Sequence, residues 1–220
     1  MFADGSIGAV LARVRPLRRQ VIAVLFSLSS VACASVEHGQ PVVSLLEMRQ
    51  SRVVVQQWDL SCGAAALATV LTYQHGDAVD EREIARGMLR LTDPLRVQVR
   101  GGFSLLDLKR YVESRGYSGS GYTSLTLDDL VKLAPVLVPV SFRGYNHFVV
   151  FKGVAGERVF LADPGFGNRT VELEQFHTAW LQSIGFVVRR KDGVALPNRL
   201  KPRAAELTRP PDAAVRAALK

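Results

Sequence analysis

Hydrophobic positions follow two rhythms along the chain. From Cys62 to Leu133 they recur mostly at helical spacing, and from Val136 onward they gather in short β-prone runs. The stretch Cys62-Gly-Ala-Ala-Ala-Leu-Ala-Thr-Val-Leu-Thr-Tyr73 is rich in strong helix formers and stops at His75-Gly76, with glycine in the terminating role. Ser61 or Asp59 is placed to cap its start. Asp80 and Glu83 resemble a capping box ahead of Ile84, Met88 and Leu91. Ser104 opens an amphipathic helix that runs through Tyr111 and ends by Gly116. Between these two helices, residues 92–103 carry Asp93-Pro94 and Gly101-Gly102 and read as a loop. Thr126-Leu-Asp-Asp-Leu130 begins a further short helix, its acids in the first turn where the helix dipole favours them.

The second half changes character. Residues 136–142, 147–152 and 158–162 are β-rich, and the connections at 143–146 and 154–157 are of hairpin length. Asp163-Pro164-Gly165 forces a turn, residues 172–182 read as a helix, and 184–190 as a last strand. Helices followed by an antiparallel sheet predict an α+β domain over residues 53–190. Val53-Val-Val55 is a short β-prone run at its entrance, and residues 35–52 read as a connecting segment. Residues 191–220, Pro- and Arg-bearing with little periodicity, read as a disordered basic tail.

With 48% hydrophobic and 22% charged residues, the composition is that of a globular protein. The net charge of +8 raises a nucleic-acid reading, but its distribution removes it. Residues 1–34 carry +3 and residues 189–220 carry +6, whereas residues 35–188 carry −1, so the middle has no electrostatic footprint for nucleic acid. The N-terminal charge belongs to an export pattern. Arg13, Arg15, Arg18 and Arg19 precede an apolar run at 21–32, too short to span a bilayer as a helix, and Ala32-Cys33-Ala34 supplies a small-x-small cleavage site. Residues 1–34 are therefore expected to be a signal peptide leading to the periplasm. A second route is open, because Cys33 follows Val31-Ala32 as a lipoprotein cysteine would, which would anchor the chain to a membrane.

Cleavage after Ala34 would leave Cys62 as the single cysteine. An unpaired thiol in an oxidising compartment is a liability unless it is used. A helix N-terminus favours the thiolate, which suits Cys62 as a nucleophile, and Gly63 beside it would let a substrate backbone approach. His147 begins a β-segment and Asp163 ends the next, so adjacent antiparallel strands can set imidazole and carboxylate side by side, as a base and its orienting acid require. Gln56 and Gln57, just before the cysteine helix, each offer an amide donor for an oxyanion. His75, at a helix C-terminus, and His177, on a helix surface, need no chemical role. Clustered metal-ligand spacing is not seen, and neither metal nor cofactor is expected.

Four segments together resemble a known family: Gln56-x5-Cys62-Gly-Ala-Ala-Ala-Leu-Ala, Gly102-Phe-Ser-Leu-Leu-Asp-Leu-Lys, Asn146-His147-Phe-Val-Val and Leu161-Ala-Asp163-Pro-Gly. In this order they are similar to the C39 peptidases, the double-glycine, bacteriocin-processing enzymes, over residues 50–190. The resemblance implies a papain-like fold, a Cys62–His147–Asp163 triad and Gln56, rather than Gln57, as oxyanion donor. Many members are the N-terminal domains of ABC exporters and cut leader peptides in the cytoplasm. An export signal ahead of the domain resembles instead the stand-alone members found beside functional-amyloid secretion systems. By that resemblance the partner is a peptide or protein in an export pathway. A peptide-binding domain that does not cut, or an acyl-transfer enzyme of the same fold class, are the alternatives.

Overall fold

The computed structural model describes residues 44–207. The predicted signal peptide, Cys33 and residues 208–220 lie outside the described residues. A first short helix, α1 (Leu45–Gln50), stands within the expected connector, with Ser44 and Glu47 closing a capping box. The helical half follows: α2 (Cys62–Thr69), continued as a π-helical stretch to His75, then α3 (Glu81–Leu89), α4 (Pro94–Arg100) and α5 (Leu105–Ser114). Next come β1 (Tyr117–Tyr122), α6 (Leu127–Leu133), β2 (Val136–Phe142), β3 (Tyr145–Ala155), β4 (Arg158–Asp163), β5 (Gly167–Glu172), α7 (Leu173–Ala179), β6 (Gly185–Arg190) and α8 (Ala204–Leu207).

The strands form one six-stranded antiparallel sheet in the order β1-β6-β2-β3-β4-β5. Side chains alternate across a strand, so each strand serves two cores. Leu137, Val150, Ala162 and Phe186 pack with Leu67, Ile84, Met88 and Leu108 of α2, α3 and α5. Val138, Val149, Phe151 and Leu161 pack on the opposite side with Leu130 of α6 and Phe176 of α7. The sheet is thus covered on both faces, which is why β2 to β4 read as near-continuous apolar runs. Every residue of α2 is buried. Its alanines let the helix lie close against both β3 and α3, where larger side chains would not fit.

Several local expectations are corrected. Residues 94–100 are helical rather than loop, because Asp93 accepts from the Leu95 N–H as N-cap and Pro94 sits where its missing N–H costs nothing. Val53-Val-Val55 forms no strand; the Val54 N–H donates to Thr69 Oγ1 at 2.9 Å and the run lies along α2. β1 and β5 were not expected. The glycine of β1 at Gly119 leaves room for Phe186 of the paired strand, whose ring would come within 2.7 Å of an added Cβ. The polar strand β5 exists through its ladder with β4. Residues 191–207, expected to be disordered, instead return to the domain. Leu200 is buried in the α2-side core, Arg199 N–H donates to Gln74 Oε1 at 2.8 Å, and Lys152 Nζ meets Glu206 Oε2 at 2.7 Å. Leu200 and Glu206 find complements in the folded domain that the local sequence does not announce.

Candidate active site

Cys62 is the first residue of α2, and its side chain is nearly enclosed. Ser61 occupies the N-cap position but makes no cap bond; its hydroxyl instead lies 2.6 Å from Trp58 O and against the Glu81 carboxylate, with one proton to donate to either. Glu81 is buried and also accepts the Gln57 N–H, at 3.0 and 3.1 Å to its two oxygens. One carboxylate therefore ties the 56–61 loop and the start of α2 to α3. Gly63 does not face an incoming substrate. It is buried, and an added Cβ would stand 3.2 Å from Leu108 and 3.4 Å from Phe148, so the glycine serves helix-to-sheet packing.

The backbone N–H groups of Phe148 and Gly63 lie close enough to Cys62 to favour its ionised form. Burial raises the Cys62 thiol above its ordinary value, and the Asp163 charge adds to this; the N–H groups of Phe148 and Gly63 oppose it without reversing it.

His147 and Asp163 lie on the same face of the sheet, as the Phe151–Leu161 pairing of β3 with β4 requires. His147 Nε2 is 3.3 Å from Asp163 Oδ1, with side chains 2% and 0% exposed. The contact is electrostatic rather than a well-aligned hydrogen bond, and neither ring nitrogen has a hydrogen-bond partner among the described residues. Phe142 and Tyr145 flank the imidazole at 6.3 and 5.2 Å between ring centres. Asp163 accepts from the Gly165 N–H at 2.8 Å and from Arg169 Nη1 at 3.1 Å. Burial pushes its carboxyl upward, but His147 and Arg169 outweigh this and hold it below the ordinary aspartate value.

Gln56 is joined to the same turn, its N–H donating to Pro164 O at 2.8 Å. Its amide nitrogen donates to Trp58 O at 3.0 Å, and its side chain lies near Tyr145. Together with His147, Tyr145 and Arg169 it lines a cleft of about 1090 Å³. Gln57 is exposed and contributes only its backbone. His75 ends the π-helical stretch; burial lowers it, and Nε2 lies 3.2 Å from Val188 O. His177 is exposed on α7. Groups of His, Cys, Asp and Glu able to hold a metal are absent among the described residues. Arg169, Glu81 and Tyr145 escaped the sequence reading. For Arg169 the signal would have been the β4–β5 register, which needs β5 to be recognised first.

A buried thiol at a helix start, an imidazole on the adjoining strand end and a buried carboxylate behind it belong to the papain-like architecture. The fold matches solved C39 peptidase domains. A double-glycine-motif protease from an AMS/PCAT transporter, solved with its leader peptide, is 26% identical with a TM-score of 0.53, covering 63% of this chain and 91% of that one. The peptidase domain of Streptococcus ComA, a bifunctional ABC transporter, is 19% identical with a TM-score of 0.53 and shows the fold alone, covering 63% and 98%. The profile of the peptidase C39 family matches residues 50–192, and the chain belongs to that family. Among curated proteins it is 43% identical over 140 residues to a probable functional amyloid protease, FapD, of Pseudomonas aeruginosa, and 41% identical over 140 residues to the one of Pseudomonas fluorescens. These matches cover 63% of this chain and 61% of each relative.

Proposed function

We propose that this chain is a cysteine endopeptidase that works after export, with Cys62 as nucleophile, His147 as general base and acid, Asp163 as the group that orients His147, and Gln56 as an oxyanion donor. The observation that carries this reading is the buried His147–Asp163 contact at 3.3 Å, with Cys62 buried at the start of α2. His147 takes the Cys62 proton as the sulfur attacks a peptide carbonyl. Negative charge then develops on the carbonyl oxygen, where the Cys62 N–H and the Gln56 amide would receive it. Gln56 would leave the Trp58 carbonyl to do so, an adjustment common when a free site closes on its substrate. The amine leaves with the proton from His147, and water, deprotonated by the same imidazole, releases the acyl group.

The substrate class follows from the relatives, which are named as functional amyloid proteases: a secreted peptide or protein such as a component of an amyloid export pathway. The location follows from residues 1–34 as a signal peptide, with Cys33 as a lipid anchor in the alternative. Among the described residues no helix is long and apolar enough to cross a membrane. Comparing the secreted proteins of cells carrying the natural chain and Cys62→Ala tests the reading and exposes the cleavage site. One protein shortened only when Cys62 is present is the expected result. Identical profiles, with substrate still captured by the Cys62→Ala chain, would replace the peptidase by a peptide-binding module. Sequencing the mature N-terminus tests export: Ser35 supports ordinary cleavage, a blocked Cys33 the lipid anchor.

A further inference from the structure

Arg169 sits where the site has need of a cation. On β5 it pairs with Leu161 of β4 and therefore shares a face with Asp163. Nη1 lies 3.1 Å from Asp163 Oδ2, the oxygen that His147 and the Gly165 N–H leave free, since both meet Oδ1. The guanidinium is 4.4 Å from the centre of the Phe142 ring and 5.4 Å from that of Phe166, and the side chain is only 10% exposed. Phe142 also flanks His147. One ring thus buttresses both the base and the cation behind its partner.

We propose that Arg169 is a positioning residue of the Cys62–His147–Asp163 site, clamping Asp163 so that Oδ1 stays on His147 and setting the proton affinity of the Cys62–His147 pair. The proposal rests on the peptidase reading. A carboxylate with no exposure must be neutralised by a proton or a cation. Were His147 the sole cation within reach, Asp163 would be balanced only by an imidazolium, which cannot accept the Cys62 proton. Arginine is always charged, so it lets a neutral imidazole and an ionised Asp163 coexist. The other titratable or charged groups at the pair are Cys62 from α2, Tyr145 from the start of β3 and Asp59 from the loop before α2; Arg143 of the β2–β3 hairpin, Glu172 at the end of β5 and Glu174 of α7 line the same cleft. Among these, Arg169 is the cation in contact with Asp163.

The test needs no natural substrate. In the full chain carrying Cys33→Ser, Cys62 is the only thiol, and its rate of alkylation by iodoacetamide is followed across pH. Loss of a nearby cation favours every protonated form, so Arg169→Met is expected to move the profile to higher pH by about one unit. Arg169→Lys, which keeps the charge, should restore most of the shift. In an Asp163→Asn background Arg169→Met should add little, because the clamp has no object. Should Arg169→Met not fold, Arg169→Gln, flat enough to lie between the two rings but uncharged, carries the same expectation. An unchanged profile in a folded, uncharged variant overturns the proposal, as does a shift of equal size without the Asp163 carboxylate. Failure of the peptidase reading looks different: Cys62 in the natural site would then alkylate with and without His147 alike, as an isolated buried thiol.

Discussion

At the scale of the residue, Cys62 combines two opposed influences. The N–H groups at the start of α2 and of Phe148 favour a thiolate, yet burial and the Asp163 charge win, and the resting thiol is raised. In the proposed mechanism reactivity then comes from proton transfer to His147. Accordingly His147→Ala should slow Cys62 alkylation at neutral pH by about tenfold or more, with the rate recovering only well into the alkaline range. An equal rate at pH 7 would show that the helix start alone activates the sulfur. Gln56 is expected to act later, on the charged intermediate: Gln56→Ala should lower kcat by ~10²–10³-fold and leave alkylation of Cys62 unchanged. Asp163 gives a third expectation. Its carboxyl is lowered in the fold relative to the ordinary 3.8, so its contribution to stability is complete above that value and lost as pH falls through the lower, folded one. Acid unfolding of Asp163→Asn should show a shallower pH dependence below about 4 than the natural chain, read by denaturant titration at each pH.

At the scale of the element, the site is held by pieces that come from different parts of the chain. Glu81, an ordinary first-turn acid when α3 is read alone, is the buried acceptor of the Gln57 N–H and the Ser61 hydroxyl. Glu81→Ala should strand both donors and cost ~2–3 kcal/mol, and it should also slow alkylation of Cys62 because α2 begins on the loop that Glu81 holds. Stability loss with an unchanged alkylation profile would confine Glu81 to the fold. The helix starts at Ser44, Asp80, Ser104 and Thr126 all carry side-chain caps, and three of those four were legible from residue type and spacing. Asp93-Pro94 was read as part of a loop, because the same dipeptide also begins turns, and only the packing of Val97 into the core distinguishes the two.

At the scale of the whole molecule, residues 194–207 close over a buried charge cluster on the far part of β3. Lys152 and Arg52 share the Glu206 carboxylate at 2.7 and 2.8 Å, and Asn168 Oδ1 takes a further Lys152 bond at 2.9 Å. Two cations on one carboxylate leave the lysine poorly compensated: burial takes it from 10.5 down to about 8 despite Glu206. A base depressed in the fold binds fewer protons there than when unfolded, so stability from this group rises as pH increases from about 8 to 10.5. Lys152→Met should remove that rise, of order 1–3 kcal/mol, and match or exceed the natural chain's stability near neutrality. Denaturant midpoints of the two chains at pH 7 and pH 10 measure it, and parallel behaviour of the pair would contradict the assignment. Glu206→Gln, which leaves both cations without their shared carboxylate, should instead destabilise by about 3 kcal/mol.

Local order and the candidate site residues were legible in the sequence itself. Periodicity separated most helices from strands, capping residues marked most helix starts, and Cys62, His147 and Asp163 stood out near the ends of predicted elements, with Gln56 in the loop before the first of them. Those features are carried by neighbours along the chain. What the tertiary structure decided concerns partners distant in sequence: that Gly63 packs under Leu108 and Phe148, that Glu81 braces the Cys62 loop, that Arg169 stands behind Asp163, and that residues 191–207 are part of the domain. Each depends on a strand register or a helix-to-sheet approach, set by the burial of two cores on opposite faces of one sheet. A buried charge or a missing Cβ acquires its meaning only from what that burial brings against it.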